Sequence, residues 1–127
     1  MFEIYSVQTK KEQEEICGLC GVGFKIDCLA YAARENDKLL GVVQFRILGE
    51  YAVIYDLAGT GKPAAPEVLT VLGKSALNFV DLCGVKNAVI EPEHDNLPQL
   101  LGFVQDKDGV WRVNLEGYFS GCCKNTI

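Results

Sequence analysis

The chain is predicted to fold as one α/β domain of the α+β kind. Its mixed sheet follows the order β-α-β-β-β-α-β-(short α)-β, with a single parallel β-α-β crossover. Three observations predict this. Alternating runs at Leu29–Glu35, Leu39–Leu48 and Tyr51–Leu57, separated by short turns, make an antiparallel meander. A stripe of apolar residues at helical spacing then runs from Pro66 to Leu82. The β-branched run Asn87–Ile90 follows directly, as expected of a strand parallel to the one before the helix.

The elements follow in order. Phe2–Val7 alternates as a short strand. Thr9-Lys-Lys-Glu12 is a capping box, opening a helix with Ile16, Leu19 and Cys20 on one face, and Gly21 and Gly23 stop it. The meander turns at Asn36-Asp-Lys38 and at Gly49-Glu50. The loop Ala58-Gly-Thr-Gly-Lys-Pro-Ala-Ala65 leads to the long helix. There Val68, Leu72, Ala76, Phe79 and Val80 form the inner stripe, Leu69 and Leu77 widen it, and Asn78 and Asp81 face solvent. Pro66 suits the first helical turn and Gly84 the position just past the last. Asn87–Ile90 is expected to be buried on both faces. Asp95–Leu101 gives a helical turn or two, limited by Pro98. Val110–Leu115 and Tyr118–Ser120 end the chain as one strand, or a pair broken at Gly117. No repeat or linker divides residues 1–127, so a single domain is expected.

Composition narrows the function classes. A net charge of −5 and a pI near 4.8 argue against nucleic acid or an anionic membrane as partner, since both are bound through excess Lys and Arg. The start, Met1-Phe-Glu-Ile-Tyr-Ser6, lacks the basic and apolar regions of a signal peptide, and no apolar run approaches the roughly 20 residues of a membrane span. A cytoplasmic protein is expected. Cys17-Gly-Leu-Cys20 matches CxxC, the mark of a thiol or metal protein. Its zinc reading lacks a second spaced pair, because Cys122 and Cys123 are adjacent and His94 has no partner at ligand spacing. Packing of Cys17 and Cys20 as small buried hydrophobes is the expectation, and no metal is expected.

A strand feeding a helix through a small-residue loop is a common cradle for a phosphorylated cofactor, because the helix start presents N–H donors. Here the helix opens with Pro66, which has no N–H, and Glu67, which puts negative charge where a phosphate would sit. Gly59-Thr-Gly-Lys62 echoes a P-loop, but Asp56 and Pro63 stand where that motif needs Gly and Ser or Thr. Gly18, Gly21 and Gly23 end a helix instead of following a strand, so they are no dinucleotide fingerprint.

In this order the chain resembles the GNAT acetyltransferase superfamily. Ile54-Tyr-Asp-Leu57 is similar to the end of that family's fourth strand. Glu67 through Gly84 with Val85-Lys-Asn-Ala-Val-Ile90 is similar to its main helix and fifth strand. Leu97-Pro-Gln-Leu-Leu-Gly-Phe103 is similar to its Leu-Tyr-x-Lys-x-Gly-Phe passage. The resemblance implies a splayed central strand pair holding acetyl-CoA, and transfer of the acetyl group to a small-molecule amine by direct attack. It places Leu57, Ala58, Gly59, Thr60, Gly61, Lys62 and Glu67 at the cofactor, and Glu91, His94 and Tyr118 as candidate acid–base residues. The family's Gln/Arg-x-x-Gly-x-Gly/Ala motif finds Ala64-Ala-Pro-Glu-Val-Leu69 at the helix, or Asp56-Leu-Ala-Gly-Thr-Gly61 upstream, and Pro98 replaces the family's tyrosine. The alternative is a non-catalytic GNAT-fold module that binds a small ligand or a protein. The last strands, Val110 to Ser120, are expected to offer an edge for a homodimer.

Overall fold

Residues 1–61 and 65–119 are described by the computed structural model, and every structural statement below concerns them. The meander is its centre: β2 (Leu29–Glu35), β3 (Lys38–Leu48) and β4 (Tyr51–Gly59) pair antiparallel. Asn36 and Asp37 take left-handed backbone at the first turn and Gly49 at the second, the geometry a tight hairpin needs. β1 (Glu3–Ser6) adds antiparallel to β2. After α2 (Pro66–Leu82), β5 (Asn87–Ile90) lies parallel to β4. A 3-10 turn (His94–Asn96) and α3 (Leu97–Leu100) lead to β6 (Val104–Gln105) and β7 (Trp111–Asn114), giving the sheet order β1-β2-β3-β4-β5-β7-β6. This is an α+β sheet of seven strands with one parallel pair.

Each face of the sheet has its own core. On one, α2 packs Leu69, Leu72 and Leu77, and α3 with the residue that caps it packs Leu97 and Leu101, against Val43, Phe45, Ile54 and Leu57. On the other, α1 (Lys10–Cys20) packs Ile16 and Cys20 against Ala30, Ala32, Leu39 and Val42. Thr9 caps α1 by accepting from Glu12 N, and Gly21 ends it in left-handed backbone. No described helix is long and apolar enough to cross a membrane.

Four expectations change. The inner face of α1 carries Gln13, Ile16, Cys17 and Cys20, while Leu19 is 68% exposed. β5 is buried on one face only, through Ala88 and Ile90, because α1 covers only part of the opposite face. The partner of β7 is β6, and residues 116–119, Tyr118 among them, form a turn. β7 pairs with β5 along its length and with β6 at Trp111 and Arg112, and the sheet edges are β1 and β6. Pro98 sits in the first turn of α3, where its missing N–H costs nothing. Ser120, Cys122, Cys123 and Lys62 lie outside the described residues.

Candidate functional site

The parallel pair β4–β5 comes apart partway along. Rungs run from Tyr51↔Asn87 to Ile54↔Ile90, and Glu91 N donating to Ile54 O at 2.9 Å closes the ladder. β4 continues alone alongside β3, as far as Gly41↔Gly59. The cause lies one residue past Ile54: the register skips between Phe45↔Ile54 and Gln44↔Asp56, leaving Tyr55 as an extra residue. A bulge bends its strand and raises the local twist, which carries the end of β4 away from β5.

The bulge leaves an edge with usable hydrogen-bonding groups. Thr60 N donates to Leu40 O at 3.0 Å, so alternate residues of the antiparallel ladder direct their backbone polar groups to β3. By that two-residue period the N–H and C=O of Leu57 and Gly59 point the other way, into the gap, where no described strand pairs with them. Close approach fixes this segment: a Cβ on Gly41 would stand 2.8 Å from Ala58 O.

The expected cofactor residues divide. The Leu57 side chain is buried in the core against α2, and Ala58 packs on the α1 side. Gly59, Thr60 and Gly61 line a cleft of about 450 Å³ with Leu39, Leu40 and Val68. Thr60 Oγ1 donates to Leu39 O at 2.8 Å, so its hydroxyl is already engaged. The start of α2 offers little to an anion. Ala65 supplies no side-chain cap, Pro66 has no N–H, and the N–H groups of Val68 and Leu69 both donate to Ala65 O, at 3.1 and 3.2 Å. Glu67 is exposed in that first turn.

Across the gap, Glu91 begins where the ladder ends, and His94 follows in the 3-10 turn, its Nδ1 2.9 Å from Asp95 Oδ2. Glu91 and His94 are both exposed. Asp95 and Asn96 hold left-handed backbone side by side, which brings the chain sharply from β5 into α3. Trp111, opposite Ile90 at this end of the sheet, has a buried Nε1 with no hydrogen-bond partner. Tyr118 is elsewhere. Leu115 N donates to Lys86 O beyond the far end of β5, and Tyr118 Oη donates to Leu101 O at 2.6 Å. Burial pushes its phenol pKa up, and its position is opposite the gap.

Sequence reasoning passed over the polar network beside the gap. Asp56, on the α1 side just past the bulge, accepts from Lys25 Nζ at 2.6 Å and from Gln44 Nε2 at 2.8 Å on the same Oδ2. Gln44, wholly buried, also donates to Gly23 O and accepts from Gln13 Nε2 and Lys25 N. The Asp56 hydrogen bond raises the pKa of Lys25. Cys17 and Cys28 lie close enough to Asp56 and Lys25 to feel their charges. Burial pushes the Cys17 and Cys20 thiols up to about 11, so neither is a ready thiolate. Among the described residues no group of three His, Cys, Asp or Glu is placed to hold a metal ion.

No family model and no curated protein matches the sequence. The structure is similar to that of spermidine/spermine N-acetyltransferase SpeG from Vibrio cholerae, with TM-score 0.71 and 10% identity over 95% of this chain and 99% of that one. It is similar to PaiA N-acetyltransferase from Thermoplasma acidophilum, solved in complex with coenzyme A, with TM-score 0.69 and 11% identity over 90% and 99%. A GNAT family acetyltransferase from Brucella melitensis in complex with acetyl-CoA matches with TM-score 0.68 and 12% identity over 90% and 88%. Identities this low speak for the fold alone. In sheet order, parallel pair and crossover helix, this chain has the GNAT acetyltransferase fold.

Proposed function

We propose that the protein binds an acyl-coenzyme A thioester, acetyl-CoA first among them, in the gap between β4 and β5 and acts as an N-acyltransferase on a small-molecule amine. The observation that carries this reading is the free β4 edge, where the N–H and C=O of Leu57 and Gly59 face an open gap. An extended ligand arm with its own amide groups fits such an edge as a strand would. When bound, the thioester supplies an activated acyl carbon. As the amine nitrogen bonds to the acyl carbon, the C–S bond would break and coenzyme A would leave as its thiolate. Glu91 and His94 flank the gap from the β5 side and would take up the proton that the amine gives up, which the thiolate finally receives.

The diphosphate end fits less well. Hydrogen bonds to a charged group contribute roughly 1.5–3 kcal/mol each. A helix start in which Pro66 has no N–H, the Val68 N–H is turned onto Ala65 O, and Glu67 stands beside them forgoes several kcal/mol of that kind. This favours a second reading, a GNAT-fold module that binds its ligand without turning it over.

Titrating 15N-labelled protein with acetyl-CoA tests the first step. The Leu57 and Gly59 amides are expected to shift before all others, and undisturbed amides at saturating ligand would overturn the site. Mass spectrometry of n-butylamine incubated with protein and acetyl-CoA then separates the readings: an acetylated product supports the enzyme, and its absence despite binding supports the module.

A further inference from the structure

We propose that Lys25 is a built-in competitor for the acceptor: its ammonium occupies the carboxylate of Asp56 that a cationic primary amine would use, so that binding of the acceptor displaces Lys25. This rests on the acyltransferase reading of the gap and adds to it a specificity-determining carboxylate and a self-blocking contact. Asp56 stands two residues past the last β4–β5 rung, where the open part of β4 begins. Its side chain is only 15% exposed, yet the amine seated on it comes from the loop between α1 and β2, with Lys25 39% exposed. A primary ammonium, the protonated form in which an amine acceptor would arrive before it gives up its proton and attacks, is thus already docked beside the gap.

The exchange is feasible because it substitutes like for like. Replacing one ammonium by another leaves no buried carboxylate unpaired, the condition that makes breaking such a pair costly. Gln44 Nε2 stays on Asp56 throughout, and Gln13 and Gly23 hold Gln44 in place, so the carboxylate keeps its orientation when Lys25 leaves. The lysine, released into water, regains its side-chain freedom. Arg46 and Lys10, which like Asp56 act on the Cys28 thiol, are engaged elsewhere: Arg46 pairs to Asp27 at 3.9 Å, and Lys10 donates to Gln13 Oε1 and Cys28 O. Among the described residues, Lys25 is the cation that pairs with Asp56 itself.

The test needs no acyl donor, so it stands apart from the question of catalysis. Wild-type protein labelled with 13C-lysine is titrated with n-butylammonium chloride, with n-butyltrimethylammonium, which has no N–H, as control. The Lys25 ε signal is expected to move to the position of the free lysines with the first amine only, and the Gln44 side-chain amide signals are expected to shift with it. A Lys25→Met variant is expected to bind n-butylammonium about fivefold more tightly, the factor by which a partly exposed ion pair competes. An unmoved Lys25 signal up to about 100 mM amine, where even weak ion pairing is populated, overturns the proposal. So does a Lys25→Met variant that folds and binds no tighter; should it fail to fold, the wild-type lysine signal alone decides.

Discussion

Gln44 and Asp56 stand opposite each other on β3 and β4, and the Gln44 amide donates to Asp56 Oδ2 at 2.8 Å from a wholly buried position. That amide uses both donors and both acceptor positions, on Asp56, Gly23, Gln13 and Lys25. It ties β3, β4, α1 and the loop after α1 together beside the bulge. Replacing it with an apolar side chain of similar size strands several of these groups at once. Gln44→Leu is expected to lower unfolding free energy by about 2–4 kcal/mol, since each buried group left without a partner costs roughly 1–3 kcal/mol. Urea titration measures it, and a loss under about 0.5 kcal/mol would mean that water replaces the network without penalty.

Gly41 faces Gly59 where β4 runs on without β5. A methyl at Gly41 meets Ala58 O at 2.8 Å and Leu72 Cδ1 at 3.1 Å. The first of these is backbone and has no rotamer to yield. Gly41→Ala should therefore cost about 1–3 kcal/mol, as overpacking does, and displace the end of β4. Amide chemical shifts of Leu57 to Gly59 will move, and a variant as stable as wild type with unmoved shifts would contradict the close approach.

Burial pushes Cys17 and Cys20 from 9.0 to about 11, with the nearby Asp56 carboxylate adding to the rise at Cys17. Unfolded, both ionise near the ordinary thiol value. The folded state thus holds more protons from about pH 9 to 11, and stability falls as pH rises through that window. Tyr31 and Tyr118, raised by burial from 10.0, and Lys25, raised from 10.5 by Asp56, add the same sign at higher pH. Urea midpoints measured from pH 7 to 11 should be steady with respect to these thiols until about pH 9 and then decline. Replacing both thiols, Cys17→Ala with Cys20→Ala, should flatten the first part of that decline; an unchanged slope would show that they are not protected.

The crowded start of α2 leads to an expectation about ligand length. If the arm along β4 contributes most of the binding, S-acetylpantetheine should bind within about tenfold of acetyl-CoA, a difference of only about 1.4 kcal/mol. Competition measured by fluorescence or calorimetry checks this. A preference of a thousandfold for the full coenzyme would mean that the diphosphate is gripped by donors outside the helix start.

The legible parts of the fold are those written in short range. Pro66, the apolar period through Val80, and Gly84 fixed α2 at both ends, because a helix start, face and stop each have a local chemical mark. Residues Asn87–Ile90 declared β5 through β-branched content, and its pairing parallel to β4 followed from the helix between them. The α1 face was misassigned because Gln13, a polar residue, lies on its inner side to meet Gln44, and so masks the stripe that includes Cys17. β6 went unseen because Val104 and Gln105 are both exposed and show no alternation. Tyr55 carries no sign of being the extra residue in a bulge; that depends on its partner strand. Asp56 and Lys25 are 31 residues apart, and nothing local joins them.

Isothermal titration with acetyl-CoA tests most directly whether the parted strands form a thioester site. Saturable heat with a dissociation constant between about 10 and 500 μM, the range expected for an arm-held ligand weakly gripped at its diphosphate, is the predicted result. Absence of heat at about 5 mM ligand, where even a 4 kcal/mol interaction would register, would contradict the assignment of the β4 edge.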